Sequence, residues 1–235
     1  MKPANSRSSD KPVIGTLNEM SLHAALKKWY MQPGDELEMR IDGYVVDIVR
    51  GDLLVEIQTR NFSALKHKLS NLTTDRQVRL VHPIPSEKWI LRVGTNGRKQ
   101  ISRRKSPKRG CVEHLFSELV SFPSLAANPN FSIEVLLTQE EELWKNDGKG
   151  SWRRKRWSIS DRRLLNVHES VILTSISDYQ NLLPSSLPRE FTTADLKEGL
   201  GLNYRLAGKM AYCLREMGAI KQTGKKGNAF LYTIN

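Results

Sequence analysis

The sequence predicts a mixed α/β (α+β) protein, an αβββαβ core followed by a C-terminal helical module. Three observations carry this. Between residues 36 and 58, three short runs rich in Val, Ile and Leu are separated by Asp42-Gly43 and Gly51-Asp52, and two-residue connections of that kind are a strong hairpin signal. Apolar residues recur at three- and four-residue spacing on both sides of this meander, as they do on helices. Beyond residue 163 the pattern changes to helical stretches joined by a glycine turn and closed by Gly-Lys-Lys-Gly.

Taken in order, residues 1–14 are rich in Ser, Pro and Lys and read as a flexible tail. Leu17, Leu22, Ala25, Leu26 and Trp29 then form one helical stripe that ends before Pro33-Gly34 and carries Glu19. The runs LEMRI, YVVDIV and LLVEIQT make the antiparallel meander, and Phe62, Leu65, Leu69 and Leu72 mark a second helix. Strands are expected at Val78 to His82 and Trp89 to Val93, followed by a basic loop over 94–110, a helix over Val112 to Val120 and a strand over Phe131 to Leu137. This first domain spans 15–145. Residues 146–163 read as a basic linker and 164–235 as the second domain. There, Thr192 or Thr193 caps a short helix, Gly199 to Leu202 turns, and Tyr204 to Met217 is a longer helix.

With 37 Lys+Arg against 25 Asp+Glu, the formal charge is +12, which favours a polyanionic partner. Nucleic acid leads and an anionic membrane surface trails, because no apolar run approaches the roughly 20 residues that span a bilayer. The polar start, Met1 to Pro12, lacks the apolar segment of a signal peptide, so a cytoplasmic protein is expected. Cys111 and Cys213 lack CxxC spacing and read as ordinary thiols. No Walker A loop, GxGxxG, GxSxG or paired-His metal motif is present.

Chemistry concentrates in the meander. On a strand, Glu56 and Gln58 at i and i+2 share a face, and Asp47 on the neighbouring strand can face them. Their neighbours, Val45 to Val49 and Leu53 to Ile57, read as buried, and carboxylates in such company need a partner. Mg²⁺ or Mn²⁺ suits them, since a hard cation takes carboxylate oxygens, keeps waters, and acts on a phosphodiester. The plain alternative is that both are strand acids on a half-solvated face, paired to Arg40 or Lys66.

A helix with Glu19, a strand, a turn, Asp47, eight residues and then Glu56-Ile57-Gln58 resembles the PD-(D/E)XK nuclease superfamily, the restriction-endonuclease-like fold, in a layout similar to archaeal Holliday junction resolvases. The resemblance implies that Asp47 and Glu56 bind the metal, that Glu19 completes the site and that Gln58 helps activate water. Val46 stands where the motif name has Pro, and Gln58 where Lys is usual. The implied function is a metal-dependent DNA endonuclease in repair, recombination or defence. The alternative is a DNA-binding protein with a nuclease-like fold that no longer cuts, and RNA processing would use the same basic surface. Members of that superfamily often work as dimers, so a homodimer stays open.

Seven cations fall within residues 98–110, and Arg103, Arg104, Lys105, Lys108 and Arg109 suit a phosphate backbone. Lys66, His67 and Lys68 lie on the helix after the motif, and Trp152 and Trp157 bracket a further basic run. The last 45 residues or so resemble a winged helix-turn-helix. That likeness implies an outward-facing helix start with Asn203, Tyr204, Arg205 and Lys209, and a wing with Lys221, Lys225 and Lys226, for DNA contact or for protein interaction.

Overall fold

The structure is a computed structural model that describes residues 21–94 and 100–235. Glu19 and the tail over 1–14 lie outside the described residues. The protein is mixed α/β, with a mostly sheet core and several helices. Helix α1 (Ser21–Tyr30) precedes the meander of β1 (Glu36–Ile41), β2 (Tyr44–Arg50) and β3 (Leu53–Ile57), and a 3₁₀ turn at Phe62–Leu65 leads into α2 (Lys66–Leu72). Then come β4 (Gln77–Val93), β5 (Gln100–Lys105), a short α3 (Phe116–Leu119), β6 (Phe131–Lys145) and β7 (Ser158–Leu173). The strands order as β1-β2-β3-β4-β6-β7, with β5 beside the far end of β4. Pairing is antiparallel except for β3 with β4 and β4 with β6, the two parallel joints that helical crossovers allow.

Both tight turns form as the dipeptides dictate. Asp42 and Gly43 both take positive φ, +49° and +84°, the conformation of the two-residue hairpin turn that matches strand twist. Helix α1 covers one face: Leu22, Leu26 and Tyr30 pack on Ile48, Val55, Ile57, Val81 and Leu136. Tyr30 replaces Trp29 in that stripe, since Trp29 is 49% exposed. The opposite face carries α2, α3 and the C-terminal segments.

Several expected boundaries change. The two strands expected at 78–82 and 89–93 are one 17-residue strand, β4. The basic loop over 94–110 contains β5, paired to Trp89 through Val93; residues 95–99 lie outside the described set. The domain limit at 145 and the linker over 146–163 also give way, because β7 begins at Ser158 and pairs with β6 up to Leu173. Basic residues interspersed along β7 resemble a linker in sequence because the strand is a sheet edge and half of it faces water.

The C-terminal module holds α4 (Ile176–Gln180), α5 (Thr193–Leu200), α6 (Tyr204–Glu216), β8 (Ile220–Lys226) and β9 (Ala229–Ile234). Thr192 caps α5, its hydroxyl accepting from Ala194 and Asp195 N–H while the Asp195 carboxylate returns to the Thr192 N–H. Gly201, at φ +63°, ends that helix, and Phe191 pairs with Tyr232 beside the β8–β9 hairpin. The module shares its core with the sheet: Phe116, Leu119 and Phe131 belong to the same buried cluster as Leu206, Met210 and Leu214. No helix among the described residues is long and apolar enough to cross a membrane.

Candidate active site

Asp47 sits where its strand loses both neighbours. The β1–β2 ladder pairs Leu37 with Ile48 and Met39 with Val46 but skips Glu38, whose φ of +53° turns it out of the ladder opposite Asp47. On the other side the β2–β3 pairing ends at Ile48 and Val55. The break shows in the packing, because Val46 lies in the core under α2 while Ile48 lies in the core under α1. Regular alternation would have put both on one face. The Asp47 carboxylate fills the opening, with Oδ2 accepting the Ile57 N–H at 2.9 Å.

Helix α1 completes the surroundings of Asp47. His23 Nε2 lies 3.3 Å from Oδ2 and 2.9 Å from the Ile57 carbonyl, and Lys27 Nζ lies 3.2 Å from Oδ1. Burial pushes the Asp47 carboxyl up. The bonds from His23 and Ile57 and the Lys27 charge outweigh that and hold it below the usual carboxylate range.

Glu56 is the opposite case. It is 4% exposed, and burial together with the Asp47 charge pushes its carboxyl up to about 7 against the pull of Lys68. Lys68 Nζ meets the buried Oε1 at 2.5 Å. Lys68 also donates to the Val45 carbonyl, which ties α2 across the two strands.

Gln58 does not join this pair. Its backbone N–H goes to the Val81 carbonyl, and its amide donates to the carbonyls of Arg60 (2.6 Å) and Asn61 (3.2 Å), closing the turn after β3. Strand alternation, which would have set it beside Glu56, ends with β3 at Ile57. Neither Arg40 nor Lys66 forms an ion pair among the described residues; the cations on Asp47 and Glu56 are Lys27 and Lys68.

Residues 20–174 match the family described as Domain of unknown function (DUF8091). The chain belongs to this family. The matched span ends where β7 ends, so the DUF8091 domain is the α1-plus-sheet unit with the acid pair inside it, and the C-terminal module follows it. A relative from Treponema pallidum (strain Nichols), described as "Uncharacterized protein", is 31% identical over 221 residues, covering 93% of this chain and 86% of its own. That alignment is too long for the DUF8091 domain alone and includes part of the module. No solved structure matches.

On the DUF8091 domain, Arg104, Lys108 and Arg109 are exposed. Arg103 and Lys105 are exposed as well, but each is engaged, Arg103 with Glu141 (2.7 Å) and the Trp89 ring, Lys105 with Glu87 (2.6 Å). In the module, Asn203 caps α6 through the Leu206 N–H, and Tyr204 and Arg205 are exposed. Lys209 departs from the outward position expected of it. It is half-buried and donates to the Ser117 carbonyl at 2.8 Å, because α6 packs on α3. Lys221, Lys225 and Lys226 are exposed on β8.

His23 and Lys27 belong to none of the motifs in the meander. Their i, i+4 spacing on a helix that also supplies Leu22 and Leu26 was the available signal, since it puts two polar groups on the edge of the buried stripe.

Proposed function

We propose that the chain is a Mg²⁺- or Mn²⁺-dependent nuclease acting on DNA, with Asp47 and Glu56 as the ion-holding pair. The observation that carries this reading is Glu56 itself. A carboxyl that burial and a neighbouring carboxylate raise to about 7 against the pull of Lys68 is a group that a hard cation would satisfy. Two carboxylates plus waters suffice for such an ion. When bound, it supplies positive charge against a phosphodiester oxygen and acidity to a water.

Lys68 and Lys27 then have roles of their own. Lys68, not Gln58, is the cation beside Glu56, so it takes the place that the PD-(D/E)XK pattern gives to its lysine, and it orients the carboxylate and offers charge to a phosphate. Lys27 and His23 hold Asp47 ionised and aimed. The αβββαβ order of the sheet unit supports the restriction-endonuclease-like assignment, and α5, α6 and the β8–β9 hairpin support a winged helix. Exposed Tyr204, Arg205, Lys225 and Lys226 and the net charge of +12 favour a DNA backbone as its partner.

A second reading, a DNA-binding protein that does not cut, is favoured by one specific feature: Lys27 and Lys68 already neutralise both carboxylates. A cleavage assay separates the two. Linear duplex, single-stranded and four-way DNA are incubated with Mg²⁺ or Mn²⁺ beside Asp47→Ala and Glu56→Ala. Cleavage by the parent chain that both variants lose supports the nuclease; intact DNA throughout, with affinity unchanged in chelator, supports the binding protein.

A further inference from the structure

Strand β4 has an open stretch of edge. β3 ends beside Val81, and the antiparallel β5 ends, at Lys105, beside Trp89, so on that side β4 has no strand partner between them. Pro83 and Pro85 suit the gap because proline brings no N–H to leave unpaired. The segment over 106–111 crosses it, Ser106 N–H donating to the Lys88 carbonyl (2.7 Å) and Gly110 N–H to the Pro85 carbonyl (2.9 Å). Only glycine fits so close: a Cβ at position 110 would lie 2.5 Å from Ile84 Cγ2 and 2.7 Å from the Pro85 oxygen.

Between this segment, β4 and the start of α3 lies a cavity of about 370 Å³, a size at the lower end of small-ligand sites. Its lining divides by chemistry. Arg60, Lys108 and Arg109 are exposed cations with no carboxylate at ion-pair distance among the described residues. Lys88 and Arg162 also line it, but Glu142 holds both, at 3.0 and 3.7 Å. Acceptors complete the wall. His82 Nδ1 donates to the Gln58 carbonyl (2.7 Å), and because burial lowers the ring's basicity it stays neutral with Nε2 as an acceptor; Glu118 and Glu140 lie alongside.

The cavity does not stop at α3. His114 and Ser117 line it and also a second cavity, of about 300 Å³, with Asn203, Arg205 and Lys209 at the start of α6. His114 Nδ1 takes the Cys111 N–H at 3.2 Å, which leaves Nε2 as the ring's N–H donor. Cations and donors therefore run from the gap in the sheet to the module.

We propose that the first cavity binds the phosphate-terminated end of a nucleic-acid strand, one nucleotide deep, and that the strand leaves past His114 toward α6. A terminal phosphomonoester carries nearly two negative charges where an internal diester carries one, so three cations outside any ion pair, set against Glu118 and Glu140 whose carboxylates already accept from the Phe62 N–H and the Thr138 hydroxyl, select an end. The acceptors serve the hydroxyls and base edge of that nucleotide. The proposal rests on the nucleic-acid reading above but not on cleavage.

The test is fluorescence anisotropy of the whole chain in chelator. One short single strand is used in three forms, with a 5′-phosphate, with a 3′-phosphate, and with neither. The expected result is at least about 10-fold tighter binding of one phosphorylated form, about 1.4 kcal/mol, with the other forms alike. Arg60→Ala with Arg109→Ala removes that preference without lowering the melting temperature, because both side chains are exposed and in no ion pair among the described residues, and excess inorganic phosphate removes it too. Lys225→Ala weakens all three forms equally. Equal affinity for the three strands, or a preference that survives the double variant, overturns the proposal. A chain that cuts DNA yet shows no end preference sinks this inference alone, and an end preference without cleavage sinks the nuclease alone.

Discussion

Lys68 Nζ, on the helix that follows the meander, lies 2.5 Å from Glu56 Oε1, which reaches it from β3 across twelve residues of chain. The same ammonium donates to the Val45 carbonyl on β2, so one side chain spans both strands at the point where they part. Gln58, two residues from Glu56, is turned into the following loop.

On the proposed nuclease function, metal-dependent cleavage should depend on Lys68 and not on Gln58. Lys68→Ala is expected to lower the rate by about 100-fold or more, the usual cost of removing one charge aimed at a phosphate. Gln58→Ala should stay within about 3-fold, since it loses turn hydrogen bonds only. Initial rates on one duplex substrate decide it, and the reverse order would return Gln58 to the site.

Glu56 should make the metal-free chain less stable as pH rises. Its carboxyl moves from an ordinary 4.5 to about 7 on folding, so the fold favours the protonated form. That stabilisation is fully present below pH 4.5 and is lost as pH rises through 7. At about 1.4 kcal/mol per pKa unit, reduced for incomplete burial, the loss is on the order of 2 kcal/mol. In chelator, Glu56→Gln should be more stable than the parent by about that amount at pH 8 and equal at pH 4. Urea melts at the two pH values would show it, and a Glu56→Gln chain that is weaker at pH 8 would place Glu56 as an ionised, fully paired residue.

Gly110→Ala should disturb the segment over the gap in β4. The added methyl meets the Pro85 carbonyl, a backbone atom that cannot step aside, at 2.7 Å. A loss of about 1–3 kcal/mol is expected, together with faster amide exchange at Ser106 and Gly110. An unchanged melting temperature and unchanged exchange would mean that the segment moves freely.

The sheet and the C-terminal module should unfold together. Phe116 and Leu119 on α3 share a buried cluster with Met210 and Leu214 on α6, and Lys209 ties α6 to Ser117. Calorimetry should give one transition, and Phe116→Ala should lower it as a whole, by about 3–5 kcal/mol. Two separate transitions, only one of them moved by that variant, would show independent domains.

Local chemistry in the sequence determined much of this protein. Asp42-Gly43 and Gly51-Asp52 set two hairpins, the Thr192–Asp195 spacing set a helix cap, and the two turns brought Asp47 and Glu56 onto neighbouring strands. Each of these depends on residues a few positions apart, where backbone sterics and short hydrogen bonds dominate. Strand length was less legible. The proline pair at 83 and 85 divides β4 in sequence, but the structure keeps it whole because those residues lie where no neighbour needs an N–H.

Only the tertiary structure decided what surrounds the acid pair. Strand alternation is a backbone rule, and it fails at Asp47 because Glu38 leaves the ladder opposite it and β3 stops pairing beside it. His23, Lys27 and Lys68 reach the two carboxylates from helices on opposite faces of the sheet. The cavity beside β4 likewise joins residues from Arg60 to Arg162 that no spacing connects. Such contacts arise from how helices settle on a buried surface, and that is set by the whole packed core, not by any one stretch of chain.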